Sequence, residues 1–277
     1  MSTVPAIKLN NGVAMPQLGF GVYLVPPDEA QTAVESAFEA GYRHIDTAAL
    51  YQNEEGVGRA IAASGIPREE VFVTTKLWND DQGYESTLRA FDTSMAKLGL
   101  DVLDLYLIHW PLADREDFLP TWRAFEKLYA EGRIRAIGVS NFQPRHLRRL
   151  GEEFEVVPAV NQIELHPFLQ QSELRAFDRE HGIATEAWSP LGRTNGALAD
   201  EDIRQLAGKY DKSPAQIVLR WHMQLGNIAI PKSVTPSRIR ENIDVFDFEL
   251  TQTDMDLIST LDRGERVGPD PDVLDGR

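Results

Sequence analysis

The chain of 277 residues contains no cysteine. Disulfide bonds, thiol nucleophiles and zinc sites with cysteine ligands are therefore excluded. No apolar run approaches the roughly 20 residues that a membrane-spanning helix needs, so we predict no membrane segment. Residues 1–16 lack the basic and apolar regions of a signal peptide, and we expect a cytoplasmic protein, since a reducing compartment fits the absence of cysteine.

Positive charge is scarce as well. Lys and Arg number 28 against 43 Asp and Glu, which gives a formal net charge of −15. A field of this sign repels nucleic acid and anionic membranes, so we exclude both as partners. An anionic ligand would need a local group of cations, which makes any cluster of Lys and Arg a candidate binding site.

Short apolar segments alternate with amphipathic helices along most of the chain. A hairpin is predicted first, between Ala6 and Leu18, because Asn10-Asn11-Gly12 provides a turn with positive φ. Eight strands are predicted from there on, several of them continuous apolar runs, which is typical of parallel strands covered by helices. The predicted strands are Leu18–Gly21, His44–Thr47, Val71–Lys76, Leu103–His109, Ile134–Val139, Ala159–Ile163, Ile183–Trp188 and Ile228–Pro231.

Helix signals lie between the strands. A first helix is predicted over Asp28–Ala40, and Asn53 is predicted to cap the next one, which has acidic residues in its first turn. The pair Ser213-Pro214 is typical of another helix N-terminus. Two further helices, near Asp200–Lys209 and Thr253–Leu261, exceed the pattern of one helix per strand.

Eight strands alternating with helices fit either a closed barrel or a doubly wound sheet. A doubly wound dinucleotide-binding sheet usually carries three spaced glycines after its first strand. Here Gly19 and Gly21 are followed by Val22, Tyr23 and Leu24, so the third glycine is missing, and no P-loop motif is present. We therefore predict an α/β fold, a (β/α)8 TIM barrel with an N-terminal β-hairpin and two extra helices, in which residues 1–277 form one domain.

In such a barrel the active site lies at the C-terminal ends of the strands. Polar side chains at these ends include Asp46, Lys76 and His109, and Tyr51 follows the second strand. Asp46 and Lys76 come from adjacent strands and fit a buried ion pair, which alone is as consistent with a structural salt bridge. A lysine close to Tyr51 would lower the pKa of its phenol from about 10, which suits a general acid. Tyr51 and His109 together would donate to an oxygen that gains negative charge, as a carbonyl oxygen does on accepting a hydride.

Six segments between residues 7 and 261 resemble the aldo-keto reductase family, in the order found there. They are GYRHIDTAALYQNEEGVGRAI (41–61), TTKLWN (74–79), DLYLIHWP (104–111), IGVSNF (137–142), VNQIELHP (160–167) and IPKSVTPSRIRENIDVFDFEL (230–250). Within the family the chain is similar to the prokaryotic branch that includes 2,5-diketo-D-gluconic acid reductases. The resemblance implies a monomeric, NADPH-dependent reductase of small-molecule aldehydes or ketones. Tyr51 would be the general acid, Lys76 would lower its pKa, Asp46 would hold Lys76, and His109 would orient the carbonyl.

The same resemblance implies a cofactor site without a dinucleotide-binding sheet. The nicotinamide carboxamide would be held at three polar side chains, and Trp188 would stack on the nicotinamide ring, where most members have tyrosine. Lys232 and Arg238 would face the 2′-phosphate of NADPH, although as isolated cations they would more often be solvated surface charges. The implied cofactor-binding residues are Ser140, Asn141, Gln162, Trp188, Ser189, Leu191, Lys232, Ser233, Val234, Arg238, Glu241 and Asn242.

Specificity is less readable from the sequence. Thr235 stands where related chains can carry a basic residue, which favours NADPH with some use of NADH. Tyr23, Trp78 and Trp110 are predicted to line the substrate pocket, and Arg193 is a candidate partner for a substrate carboxylate, or an exposed residue. Candidate substrates are 2,5-diketo-D-gluconate, methylglyoxal-like 2-oxoaldehydes and aromatic aldehydes.

Two alternatives from other classes stay open. His44, Asp46, Lys76, His109 and His166 superficially fit a metal-dependent hydrolase, but the eighth strand ends in Ile-Pro-Lys rather than an acid, so we expect no metal. A non-catalytic NADP(H)-binding regulatory subunit would keep the same four catalytic-site residues. Only the lack of an additional interaction domain argues against that second alternative.

Overall fold

The computed structural model describes residues 4–112, 115–193 and 195–275. It begins with the predicted hairpin, in which β1 (Ala6–Lys8) pairs antiparallel with β2 (Ala14–Pro16). The turn between them contains Gly12 at a φ of 88°, as the Asn-Asn-Gly sequence predicts. The hairpin therefore forms where its turn chemistry and alternating apolar residues place it.

Eight parallel strands follow in one sheet, with neighbours in chain order. They are β3 (Phe20–Gly21), β4 (His44–Asp46), β5 (Phe72–Leu77), β6 (Leu103–Ile108), β7 (Ile134–Ser140), β8 (Val160–Glu164), β9 (Ala184–Trp188) and β10 (Ile228–Ala229). A parallel bridge between Leu18, just before β3, and Ala229 of β10 closes the sheet, and Gly21 N donates to Pro231 O across the same seam. The predicted eight-stranded barrel is confirmed, and each strand begins and ends within two residues of the predicted position.

Helices cover the outside of the barrel. They are α1 (Ala30–Ala40), α2 (Glu54–Ala63), α3 (Tyr84–Leu98), α4 (Phe118–Ala130), α5 (Pro144–Glu153), α6 (Ser172–Glu180), α7 (Glu201–Tyr210), α8 (Pro214–Gln224), α9 (Pro236–Ile243) and α10 (Gln252–Ser259). The two extra helices predicted are α7 and α10. No helix within the described ranges is both long and apolar enough to cross a bilayer.

Two apolar clusters hold these layers together. The larger lies between strands and helices and includes the fully buried Trp122, Trp221 and Tyr106. The smaller joins Leu9 and Met15 of the hairpin region to inward residues of the strands. The hairpin thus packs against one end of the barrel, which leaves the C-terminal ends of the strands as the end where a cavity opens.

Asn53 occupies the predicted N-cap position of α2 but does not cap the helix through its side chain. It is buried, donates to the backbone oxygens of Val22 and Val25, and accepts from Thr47 Oγ1. A buried amide is satisfied by whatever polar groups surround it, and here those groups belong to the loop after β3 and to Thr47 at the end of β4. Ser213, by contrast, is the expected N-cap of α8, and it forms a capping box with Gln216.

Candidate active site

A cavity of about 700 Å³ opens at the C-terminal ends of the strands. Side chains from β4, β6, β7, β8 and β9 form its floor, and the loop after β9 and the C-terminal segment form its rim. Of the predicted site residues, its walls contain Tyr23, Asp46, Tyr51, Trp78, His109, Trp110, Ser140, Asn141, Gln162, Trp188, Ser189, Leu191 and Lys232. Residues separated by more than two hundred positions in the sequence therefore meet in one space.

Asp46 and Lys76 form a buried ion pair at the cavity floor. Lys76 Nζ lies 2.6 Å from Asp46 Oδ1 and donates a second hydrogen bond to Thr47 O at 2.9 Å. Burial alone would lower the pKa of Lys76, but the charge and hydrogen bond of Asp46 raise it above its usual value. Lys76 is therefore held as a cation behind the cavity wall.

Tyr51 ends the short 3₁₀ turn Ala49–Tyr51 after β4. Lys76 Nζ lies 5.1 Å from the centre of its ring. Burial raises the pKa of Tyr51 to about 12, and the charge of Lys76 opposes that rise without cancelling it. The predicted fall of this pKa below 10 is thus wrong for the residue in this structure. Lys76 acts in the predicted direction, but removal of the phenol from water has the larger effect.

His109 follows β6 and lies among aromatic rings. Its ring centre is 5.9 Å from that of Tyr51 and 5.2 Å from that of Trp78. Burial, with the charge of Lys76, lowers the pKa of His109 well below its usual value. The imidazole is therefore neutral near pH 7 and carries one N–H donor beside the phenol of Tyr51.

Four side chains from neighbouring strand ends form a hydrogen-bonded chain along the floor. Ser140 Oγ donates to the backbone oxygen of Gln162, and Asn141 Nδ2 donates to Ser140 Oγ and to His109 O. Trp188 Nε1 donates to Asn141 Oδ1 at 2.8 Å, which holds the indole at the cavity wall. Gln162 Nε2 donates to Asp46 Oδ2 and so connects this chain to the buried ion pair.

The segment after β10 leaves the floor and reaches the surface. Lys232 and Arg238 are exposed, and neither forms an ion pair with any residue that the structure describes. Arg238 lies in the first turns of α9, where backbone N–H groups and the helix dipole favour an anion. Of the other residues predicted here, Val234 is exposed, Ser233 and Glu241 are half-buried, and Asn242 is buried on α9.

Similarity to known proteins identifies the family of this chain. The model of the aldo/keto reductase family matches residues 17–263. The chain belongs to this family. It is 56% identical to a glyoxal reductase from Bacillus subtilis over 97% of this chain and 96% of that protein. It is 50% identical to the methylglyoxal reductase DkgA from Escherichia coli over the full length of both chains.

Solved structures agree with the fold. A variant of the protein Gox0644, solved in complex with NADPH, superimposes with a TM-score of 0.95 at 49% identity, covering 99% of each chain. The predicted membership of the aldo-keto reductases, near the diketogluconate reductase branch, and the predicted oxidoreductase class are thereby confirmed. The role of each site residue stays a prediction.

Several cavity residues of this aldo-keto reductase were not predicted. Leu24 and Leu50 line the cavity together with Val267, Gly268 and Leu274. They lie in loops and in the irregular C-terminal segment, where no periodicity or motif marks them. No signal in the sequence therefore identifies them as cavity residues.

Glu164 attaches the C-terminal segment to the barrel. Its buried carboxylate accepts hydrogen bonds from the backbone N–H groups of Val267 and Gly268 and lies 3.0 Å from His166 Nε2. Gly268 lies so close to Trp188 that an added Cβ would come within 2.4 Å of the indole. The His166 ring therefore shares the carboxylate that holds the C-terminal segment.

The histidines considered for a metal site are placed otherwise. His44 is fully buried, with Nε2 3.3 Å from Thr74 Oγ1, and burial lowers its pKa to about 3. Over residues 4–112, 115–193 and 195–275, no three His, Asp or Glu side chains are grouped to hold a metal ion.

Proposed function

We propose that this chain reduces an aldehyde or ketone to an alcohol with NADPH, and that Tyr51 is the general acid. The observation that carries this proposal is one constellation at the cavity floor. A neutral imidazole, His109, and a phenol, Tyr51, lie side by side, with the Lys76 cation behind the phenol. Two neutral donors next to a fixed positive charge suit an oxygen on which negative charge develops.

The cavity residues fit the cofactor. Gln162 Oε1 accepts no hydrogen bond from the described residues, and the wall contains the indole of Trp188, a large flat surface for a nicotinamide ring. Lys232 at the cavity wall and Arg238, farther along the chain on α9, are cations without an acidic partner among the described residues, which fits the phosphates of NADPH. We expect NADPH to be preferred over NADH, because Arg238 at α9 would recognise the additional phosphate.

The protein side of the reaction concerns one proton. When bound, NADPH supplies the hydride that reduces the carbonyl carbon. His109 donates to the carbonyl oxygen and orients it, and Tyr51 transfers its phenolic proton to that oxygen as the new C–H bond forms. A pKa of about 12 keeps Tyr51 protonated at neutral pH. Lys76 stabilises the phenolate that remains until water returns a proton, and Asp46 keeps Lys76 in place.

Short 2-oxoaldehydes are the substrates that we propose first. Two relatives at 56% and 50% identity bear the names glyoxal reductase and methylglyoxal reductase. Tyr51 and His109 lie among Tyr23, Trp78 and Trp110. These three rings would give a small carbonyl compound apolar walls. 2,5-Diketo-D-gluconate and aromatic aldehydes remain candidate substrates. The single domain, the monomeric state and the cytoplasmic location stay predictions.

The test is NADPH oxidation with a panel of aldehydes and ketones, comparing the wild type with Tyr51→Phe. The variant keeps the ring and removes the acid, so we expect a loss of about 100- to 10,000-fold in kcat with unchanged NADPH binding. Equal rates in the two proteins would refute the role of Tyr51. A wild type that binds NADPH but reduces no carbonyl would favour the regulatory subunit instead.

A further inference from the structure

Glu186 is a buried carboxylate that the proposed mechanism does not use. It lies on β9, opposite Gln162 of β8, and has no exposed surface. Its Oε2 accepts a hydrogen bond from Gln162 Nε2 at 2.8 Å. Its Oε1 lies 3.7 Å from His44 Nε2 and accepts no hydrogen bond within the described residues. Burying such a group costs free energy, so its position next to the cavity floor calls for a role.

The side-chain amide of Gln162 lies between two carboxylates. Nε2 donates one hydrogen to Asp46 Oδ2 and the other to Glu186 Oε2, each at 2.8 Å. An amide nitrogen has two N–H donors, so these two bonds use it completely. The reversed amide would set its oxygen against the carboxylate of Asp46. The hydrogen-bond network therefore determines which end of the amide faces the cavity.

The end of the Gln162 amide that faces the cavity is its oxygen, a hydrogen-bond acceptor. Gln162 lines the cavity, and no described residue donates to its Oε1. The neighbouring amide of Asn141 has both Nδ2 hydrogens engaged, by His109 O and Ser140 Oγ, while its Oδ1 accepts from Trp188. This part of the floor therefore presents amide oxygens, rather than amide N–H groups, to a bound ligand. A ligand with a primary amine-like N–H₂ donor, such as a carboxamide, matches it.

We propose that Glu186 is a positioning residue for the cofactor. Together with Asp46 it holds both N–H groups of Gln162, so that Gln162 Oε1 receives a hydrogen bond from the carboxamide nitrogen of the nicotinamide. The inference rests on the proposed function, because it needs a nicotinamide in this cavity. Burial, then the charge of Asp46, raises the pKa of Glu186 to about 8. At neutral pH the group is mainly a neutral acid, which glutamine imitates closely.

The experiment measures how much the carboxamide N–H₂ contributes to binding. NADP⁺ is compared with its 3-acetylpyridine analogue, in which an acetyl group replaces the carboxamide and no N–H remains. Dissociation constants come from quenching of tryptophan fluorescence at pH 7. In the wild type we expect NADP⁺ to bind about five- to tenfold more tightly than the analogue, as for one neutral hydrogen bond.

Two variants at position 186 separate the outcomes. Glu186→Gln keeps an acceptor for Gln162 and should retain the wild-type ratio. Glu186→Met removes the acceptor, freeing one N–H of Gln162 and loosening the amide, so its ratio should fall to about twofold or less. A folded Glu186→Met protein with the wild-type ratio would overturn the proposal. A Glu186→Gln protein that loses the ratio would overturn it too, because the acceptor would then not be what matters.

Asp178→Asn is the matched control. Asp178 is another buried carboxylate whose pKa burial raises, to about 7, and it accepts from Asn161 Nδ2 and Thr185 Oγ1 on the same two strands. It does not line the cavity. Its replacement should change thermal stability and leave the cofactor ratio unchanged, which separates positioning of the cofactor from general effects on the barrel.

A measurement on the wild type covers the case in which Glu186→Met does not fold. The two side-chain amide hydrogens of Gln162, identified by the loss of their NMR signals in Gln162→Ala, should exchange slowly with water before any cofactor is added. Fast exchange of both would overturn the proposal. A wild type that binds NADP⁺ and the analogue equally would also overturn it, while leaving the cofactor site intact. A wild type that binds neither would refute the proposed function itself.

Discussion

The cavity floor and the segment after β10 hold their charges in opposite ways. In the floor, Lys76 has no exposed side-chain surface and hydrogen-bonds both Asp46 and a backbone oxygen. In the segment, Lys232 and Arg238 are exposed and have no acidic partner among the described residues. The protein itself satisfies the first set of charges, whereas the second set faces water and is open to an anionic ligand. The floor should therefore determine stability and chemistry, and the segment should determine cofactor affinity.

The largest effect on stability is expected from Lys76→Met. It leaves Asp46 buried without its cation, which should lower the free energy of unfolding by about 3–5 kcal/mol. Urea unfolding at pH 7 measures this loss. Adding Asp46→Leu to the same protein should restore much of it, because the buried charge is then gone.

An exposed pair provides the control. Lys127 and Glu131 lie four residues apart on the surface, with 44% and 43% of their side-chain area exposed. Lys127→Met should change the free energy of unfolding far less than Lys76→Met does, because water and salt screen an exposed pair. If Lys76→Met lowered the free energy of unfolding as little as Lys127→Met, the ion pair of Asp46 and Lys76 would not stabilise the cavity floor.

The pH dependence of the free energy of unfolding is a second test of the charges buried in the floor. The pKa of Glu186 is raised to about 8 from its ordinary 4.5, so the folded state binds this proton more tightly than the unfolded state does. Its contribution to the free energy of unfolding is therefore complete below pH 4.5 and falls between pH 4.5 and 8, at up to about 1.4 kcal/mol per pH unit. Asp46, Lys76 and His44 are the charged or titratable groups that face it.

Urea unfolding of the wild type and Glu186→Gln at pH 5, 6.5 and 8 measures this slope as a difference. The wild type should lose stability relative to the variant as the pH rises. His44 and His222, whose pKa values burial lowers to about 3, give the opposite slope below pH 6.5, but they are present in both proteins and cancel. A difference that is constant from pH 5 to 8 would contradict a raised pKa at Glu186.

The exposed segment should behave in the reverse manner. Arg238→Ala removes a cation that no described acid engages, so the free energy of unfolding should change by no more than about 0.5 kcal/mol. The KM for NADPH should rise about tenfold, because a charge-assisted contact to the additional phosphate is lost. The KM for NADH, which lacks that phosphate, is the control and should not change. Equal increases for both cofactors would show that Arg238 does not discriminate between them.

The same division explains what the sequence predicts. The barrel and the floor follow from the sequence because strand periodicity and strand order bring Asp46, Lys76 and His109 to one end of the sheet. The direction of the Tyr51 pKa does not follow, since it depends on a balance between burial and the charge of Lys76. The contact of Glu164 with the C-terminal segment joins residues about one hundred positions apart through backbone N–H groups. Every residue but proline has such a group, so no sequence pattern marks it.

Arg193 stands between the two regions and carries the smallest expected effect. It is exposed, donates from Nε to Ser189 Oγ at 2.8 Å, and lies over the rings of Tyr23 and Trp188 at 5.0 Å and 5.5 Å. Arg193 lines the cavity, and no described acid pairs with it, so an anionic group of a ligand could bind its guanidinium. We expect Arg193→Ala to raise KM roughly three- to tenfold for carbonyl substrates that bear a carboxylate.

Methylglyoxal, which has no carboxylate, separates the possible causes of such a change. Its KM should stay the same in Arg193→Ala if the guanidinium meets the substrate. Arg193→Lys keeps the charge but loses the planar pair of donors, and it should fall between the wild type and the alanine variant. An unchanged KM for the keto acids would remove Arg193 from the substrate site. An increase in the KM for NADPH alone would instead show that Arg193 contributes to cofactor binding, as we propose for Lys232 and Arg238.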